Sequence, residues 1–74
     1  MKLIAYGTLN EEATGLLQRA LNALGGGGPD GEPLTVDRHF GRRTLAALIR
    51  FLAAHGAGGE ARLLRAIAAL RGAR

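Results

Sequence analysis

The chain has 74 residues, the length of one small domain, and its hydrophobic fraction of 47% comes mainly from alanine and leucine, which favours helices over strands. Cysteine is absent, which excludes a disulfide framework and a thiolate metal site. The formal net charge of +4, carried by nine arginines and one lysine, favours an anionic partner such as nucleic acid, a membrane surface or an acidic cell-wall polymer.

Residues 1–9 contain several apolar side chains and are predicted to form an N-terminal arm that packs on the core. Their apolar run is too short for the h-region of a signal peptide, and no run reaches the roughly 20 residues needed to cross a bilayer. We therefore expect no membrane span and a cytoplasmic protein that reaches the cell wall or periplasm by lysis or by another export route.

A first helix is predicted to begin near residue 9 or 10, because Thr8 followed by Glu11 matches a capping box and Asn10 is an alternative N-cap. The run GGGGPDGEP, residues 25–33, ends this helix, since glycine is entropically unfavourable in a helix and proline lacks a donor. The 24 residues before it carry one helix and cannot form a core alone. Residues 1–74 are therefore predicted to be one domain with a long glycine-rich loop. The apolar stripe of the first helix is Ala13, Leu16, Leu17, Ala20, Leu21 and Leu24.

Two further amphipathic helices follow the loop. The second is expected from Gly41 or Arg42 to His55 and, from its broad apolar face, is predicted to be the central and most buried helix. The third is expected to open at Glu60 after a glycine-rich joint. The predicted fold class is an all-α, compact three-helix bundle. The apolar faces are Leu45, Leu48, Ile49 and Leu52 in the second helix and Leu63, Leu64, Ile67, Ala68 and Leu70 in the third.

The residue types needed for catalysis do not converge in the sequence. Glu11 and Glu12 are adjacent on a helix and diverge by about 100°, so they do not form the facing pair of a glycosidase. His39 and His55 lack metal-ligand spacing, serine is absent, and the glycine run lacks the lysine of a phosphate loop. We therefore predict that the domain is not an enzyme and has no metal and no cofactor.

Nucleic-acid binding is an alternative, because five basic residues cluster around the start of the second helix, where phosphates bind readily. Against it, Phe40 and Phe51 fall at core positions and leave no stacking platform, and the joint between the first two helices is too long for a helix-turn-helix. A protein–protein interaction module or inhibitor is the other alternative, to be recognised by an exposed apolar patch on the third helix. The basic cluster is Arg38, His39, Arg42, Arg43 and Arg50.

Two stretches, LLQRALNALG and LTVDRHFGRRTLAALIRFLAAHG, resemble the peptidoglycan-binding domain. The usual pattern of that family is Leu-Gln-x-x-Leu-Asn-x-Leu-Gly, then Val-Asp-Gly-x-Phe/Ile-Gly-Pro-x-Thr. The likeness is strongest to the version on the C-terminal side of phage-type muramidases and covers about residues 13–74. It implies a non-catalytic three-helix module that binds the glycan or stem peptide of peptidoglycan, alone or attached to a lytic catalytic domain.

The resemblance also implies roles for particular residues. The buried residues would be Leu17, Leu21, Val36, Phe40, Leu48 and Phe51. A shallow ligand groove would be lined by Gln18, Asn22, Asp37, His39, Arg42 and Thr44. A purely structural role is favoured for Asp37, which can accept backbone N–H bonds within its turn, and for Thr44, which can bond back to the backbone. For Gln18 and Asn22, structural and ligand-binding roles stay open about equally.

The chain departs from the family pattern at two positions. Arg38 stands where the family has its turn glycine, and a positive φ there would strain a non-glycine residue by about 1 kcal/mol. Arg42 replaces the helix-opening proline, which leaves the helix possible without its preset φ. Both changes add positive charge near the expected groove and would favour stem-peptide carboxylates or another polyanion.

Overall fold

The computed structural model describes residues 11–25, 27 and 32–72, and within them the backbone forms three α-helices and no strand. The helices are α1 (Glu11–Ala23), α2 (Arg42–His55) and α3 (Gly58–Gly72). The prediction of an all-α three-helix bundle is confirmed. No helix in the described ranges combines the length and apolar character needed to cross a bilayer. The predicted arm at residues 1–9 and the capping residues Thr8 and Asn10 lie outside these ranges.

Local sequence accounts for both ends of α1. Glu11 and Glu12 occupy its first turn, where carboxylates interact favourably with the positive end of the helix dipole. At the other end the N–H of Gly25 donates to the carbonyl of Asn22 at 3.2 Å, and Gly25 has a φ of 77°. Glycine is the residue that adopts this left-handed conformation without strain, so the helix stops where the glycine run begins.

The most buried helix is α1, and the prediction that the second helix would be central is wrong. Eight of the 13 residues of α1 are buried, whereas α2 buries four of its 14. All three helices pack against one another, but the segment 32–41 additionally covers α1, through hydrogen bonds to Asn22 and Gln18. One side of α2 faces solvent, where Ile49 is 51% exposed.

The core lies between the three helices and is closed on one side by Leu34. Phe40 is half-buried and packs against it, but the expectation that Val36 would be buried is wrong, since its side chain is 45% exposed. Beneath residues 37–39, which we call the turn, the space is occupied by the buried side chain of Gln18. Val36 lies at the edge of a surface groove. The core residues are Leu16, Leu17, Ala20, Leu21, Leu34, Ala47, Leu48, Phe51, Leu63 and Ile67.

The joint between α2 and α3 is shorter than the sequence suggested, because α3 begins at Gly58 and not at Glu60. Gly59 is buried against the end of α2, and a Cβ at this position would lie 3.1 Å from the Cβ of His55. Glycine therefore lets the two helices approach closely at the joint. Leu64, which was expected on the apolar face of α3, is 41% exposed.

Candidate functional site

The extended segment before α2 is held on α1 by the side-chain amide of Asn22. Its Nδ2 donates to the carbonyl of Leu34 at 3.0 Å, and its Oδ1 accepts the N–H of Leu34 at 2.7 Å. A side-chain amide presents one acceptor and adjacent donors, as a peptide group does. Asn22 thus pairs with the backbone of Leu34 as a neighbouring strand would, which anchors the start of the turn.

Gln18 holds the turn itself. Its side chain is 1% exposed, and its Nε2 donates to Asp37 Oδ1 at 3.0 Å, to the carbonyl of His39 at 3.1 Å and to Thr44 Oγ1 at 3.0 Å. Its Oε1 accepts the backbone N–H of Arg38 at 3.1 Å. Because the amide has two N–H groups for three acceptors, one of them is shared. One buried side chain therefore fixes the turn and the first turn of α2.

Asp37 closes the turn from the solvent side. Its Oδ1 accepts the backbone N–H of His39 at 2.9 Å, which confirms the expected hydrogen bond within the turn. This N–H, and after it the amide of Gln18, lower the pKa of Asp37 below its ordinary value of 3.8. The carboxylate is therefore the form that supports the turn.

Arg38 adopts a left-handed backbone conformation with a φ of 63°. The position therefore has the geometry that favours glycine, and an arginine there is strained by about 1–2 kcal/mol relative to ordinary backbone conformations. Its N–H is held by Gln18, so the turn keeps this geometry with an arginine in place of glycine.

A cavity of about 270 Å³, which we call the turn cleft, opens beside this turn. Gln18 and Thr44 are buried at its base, whereas Asp37, His39 and Arg42 are exposed. Five of the six residues expected to line a ligand groove therefore come together. Asn22 is not among the described residues of the cleft, and its amide is bonded to the backbone of Leu34. The described lining is Gln18, Leu34, Thr35, Asp37, His39, Gly41, Arg42, Arg43 and Thr44.

The N-terminus of α2 borders the turn cleft. Gly41 is the N-cap residue, with extended backbone (φ −106°, ψ −167°) and, in the part of the chain the structure describes, no side-chain capping bond. The helix begins at Arg42 without a proline, as expected. The positive end of the helix dipole and the exposed side chains of Arg42 and Arg43 make this end of the cleft electropositive. It therefore suits carboxylates and other anionic or hydrogen-bond-accepting groups.

A second and larger cavity, about 610 Å³ in volume, lies between α1 and α3, and we call it the arginine groove. Sequence reasoning did not find it, because its residues come from separate stretches. The one local signal was Gly15, since a glycine inside an apolar helical stripe often marks close approach of another group. The described lining is Glu12, Gly15, Leu16, Arg19, Val36, Arg38, Leu70 and Arg71.

A third cavity lies at the C-terminal end of α2, where the rings of Phe51 and His55 stack with centroids 4.1 Å apart. Arg50 lines it. The basic residues clustered in the sequence are thus divided, with His39, Arg42 and Arg43 at the turn cleft and Arg38 in the arginine groove. Within residues 11–25, 27 and 32–72, no three histidine, aspartate or glutamate side chains are grouped so as to hold a metal ion.

No family model matches the chain, and neither a curated protein nor a solved structure matches it.

Proposed function

We propose that this chain is a non-catalytic module that binds peptidoglycan and can hold a lytic catalytic domain against the cell wall. The observation that supports the proposal is the convergence of the motif residues on one buried side chain. Gln18 belongs to the Leu-Gln stretch, and it bonds Asp37 and Thr44 of the Val-Asp stretch, 19 and 26 residues further along the chain. Residues that carry the resemblance in two separate stretches therefore act as one unit.

The turn cleft offers a rigid base and polar edges. Gln18 and Thr44 hold the base, and they would act on a ligand by positioning the turn, because they are buried. His39 and Arg42 are exposed and would contact the hydroxyl, acetamido or carboxylate groups of the wall. A cleft this shallow would bind one repeat of the polymer weakly, and the many repeats of an insoluble wall would raise the overall avidity.

The proposal is tested by co-sedimentation of the purified protein with insoluble peptidoglycan at moderate salt. The expected result is a bound fraction that falls for His39→Ala and for Arg42→Ala. Arg62→Ala is the matched control, because it removes the same charge as Arg42→Ala from an exposed position on α3. Complete retention of the unmodified protein in the supernatant would overturn the proposal.

Nucleic-acid binding is the competing function, and the same protein tests it. The basic residues are divided among three cavities, whereas a duplex or single strand is bound by a continuous basic surface. If nucleic acid were the partner, affinity for a short oligonucleotide would exceed that for wall fragments and would fall steeply as salt rises.

A protein-interaction module is the other competing function. Ile49 and Leu64 are exposed, but single exposed aliphatic side chains are normal on a soluble surface. A concentration-dependent rise in mass by light scattering would favour self-association over wall binding.

A further inference from the structure

Two residue choices that are unfavourable for stability meet at one contact. Arg38 occupies a left-handed conformation that glycine would adopt without strain, and Gly15 lies in the interior of α1, where alanine would be the better helix former. A Cβ at Gly15 would lie 2.8 Å from Cγ and 3.4 Å from Cδ of Arg38. The missing side chain at position 15 is therefore what allows the stem of Arg38 to lie directly on α1.

The contact determines where the charge of Arg38 is placed. Its N–H is fixed by Gln18, its stem rests on Gly15, and its side chain lines the arginine groove. A strained residue that persists in a turn points to a function for its side chain, since glycine would satisfy the backbone. The function indicated here is delivery of a guanidinium to this groove.

The lining of the arginine groove has a distinct chemistry. Arg19, Arg38 and Arg71 come from α1, the turn and α3, and Glu12 is the one acidic residue among the described lining residues. A planar guanidinium binds a carboxylate through two parallel hydrogen bonds.

Aliphatic surface lies beside these charges. Leu16, Val36 and Leu70 are in the lining, and Val36 is 45% exposed. No aromatic ring is present among the described lining residues, so nucleic-acid bases would find no stacking surface. A ligand complementary to this groove carries carboxylates next to small aliphatic groups.

We propose that the arginine groove is a second binding site and that it takes short acidic peptides in which carboxylates alternate with small aliphatic side chains. Arg38 and Arg19 bind the carboxylates, and Val36 packs against the aliphatic groups. The site is separate from the turn cleft and does not depend on wall binding there.

The test is an NMR titration of the full chain with the peptide acetyl-Ala-Glu-Val-Glu-Ala-amide. Its analogue with both glutamates replaced by glutamine is the ligand control. The expected result is saturable shifts at Gly15, Val36 and Leu70 with the glutamate peptide, and at least a fivefold weaker affinity for the analogue. Equal affinities for the two peptides, or tighter binding in this groove of a short single-stranded DNA, would overturn the proposal.

Variants separate a binding role from a structural one. Arg38→Gly relieves the backbone strain, so the protein should be at least as stable while affinity for the peptide falls fivefold or more. Arg19→Ala changes an exposed position on α1 and should weaken peptide binding by a similar factor. It tests the site independently if Arg38→Gly alters the fold of the turn. Arg62→Ala removes the same charge from outside the described lining and should leave affinity within twofold. Unchanged affinity in both groove variants, or an equal loss in Arg62→Ala, would contradict the site.

Discussion

At the scale of single residues, the central feature is one buried amide that serves several backbone and side-chain partners. Gln18 was expected to line a ligand groove, and the structure places it at the base of the turn cleft with its amide fully engaged. A buried polar group is tolerated when its bonds are made, and removing it leaves partners unsatisfied. Position 18 therefore requires a side-chain amide, because both its donors and its acceptor are used to hold the turn.

Gln18→Ala should lower the free energy of unfolding by about 2–3 kcal/mol, because the buried Thr44 hydroxyl and the N–H of Arg38 lose their partner. Urea unfolding followed by circular dichroism measures this change. Arg65→Ala, an exposed position on α3, is the control and should alter the free energy by less than about 0.5 kcal/mol. Stability equal to that of the unmodified protein would show that the amide network contributes nothing.

Asp37 should make stability depend on acid pH. Because its pKa is lower in the folded chain than its ordinary value of 3.8, the unfolded chain binds more protons there as pH falls. The stabilising contribution of the Asp37 carboxylate is fully present above the pKa that Asp37 has in the unfolded chain. It is lost as pH falls through the lower pKa that Asp37 has in the folded chain. Between about pH 5 and pH 2, the unmodified protein should therefore lose more stability than Asp37→Asn. Parallel stability curves for the two proteins would contradict this role.

At the scale of elements, the helices differ in how their ends are satisfied. The first turn of α1 carries Glu11 and Glu12, and Glu60 lies in the first turn of α3. By contrast, α2 begins with two arginines after Gly41, a glycine that offers no capping oxygen. Two positive charges at the positive end of a helix dipole are unfavourable for stability, and the same arrangement makes the turn cleft electropositive.

A capping side chain at position 41 should stabilise α2. Gly41 has negative φ, and an added Cβ would lie at ordinary contact distance, 3.4 Å, from Cδ2 of His39. Gly41→Ser should therefore be more stable than Gly41→Ala by about 0.5–1 kcal/mol, because serine caps a backbone N–H and alanine cannot. Both variants lose the freedom of glycine in the unfolded chain, so their difference isolates the cap. Equal thermal midpoints for the serine and alanine variants would exclude a capping effect.

At the scale of the whole molecule, a chain of 74 residues has a small stability, about 4–11 kcal/mol from the usual range per residue. Its core is made chiefly of leucine and alanine from three helices, closed by Leu34 on one side. Each buried leucine is therefore a large fraction of the total. Exposed aliphatic residues that are adjacent in sequence to core residues contribute far less to the free energy of unfolding.

Two neighbouring residues of α2 test this difference. Leu48 is 0% exposed and Ile49 is 51% exposed. Leu48→Ala should lower the free energy of unfolding by about 2–5 kcal/mol and the thermal midpoint by about 10 °C or more. Ile49→Ala should change the free energy by less than about 1 kcal/mol. Similar thermal midpoints for the two variants would show that α2 does not pack as the structure places it.

The helices themselves could be predicted from the sequence, because helical periodicity and glycine boundaries are local. The range of α2 matches the expectation from Arg42 to His55, and α1 ends where the glycine run begins. Within the candidate site, the hydrogen bond from His39 to Asp37 could also be predicted, since a turn with an aspartate two residues before a donor is a local motif.

Tertiary structure alone decided which faces are covered and which distant residues meet. Helical periodicity identifies an apolar face but not how many neighbouring elements pack on it. The greater burial of α1 and the exposure of Val36 and Ile49 could therefore not be predicted from the sequence pattern. The contact between Gly15 and the side chain of Arg38 likewise cannot be predicted from the sequence, because the two residues are far apart along the chain. The sequence by itself determined three helices and a turn, because those depend on neighbours a few residues apart. The structure decided the buried amide network and the arginine groove, because both depend on which surfaces the packed helices bring together.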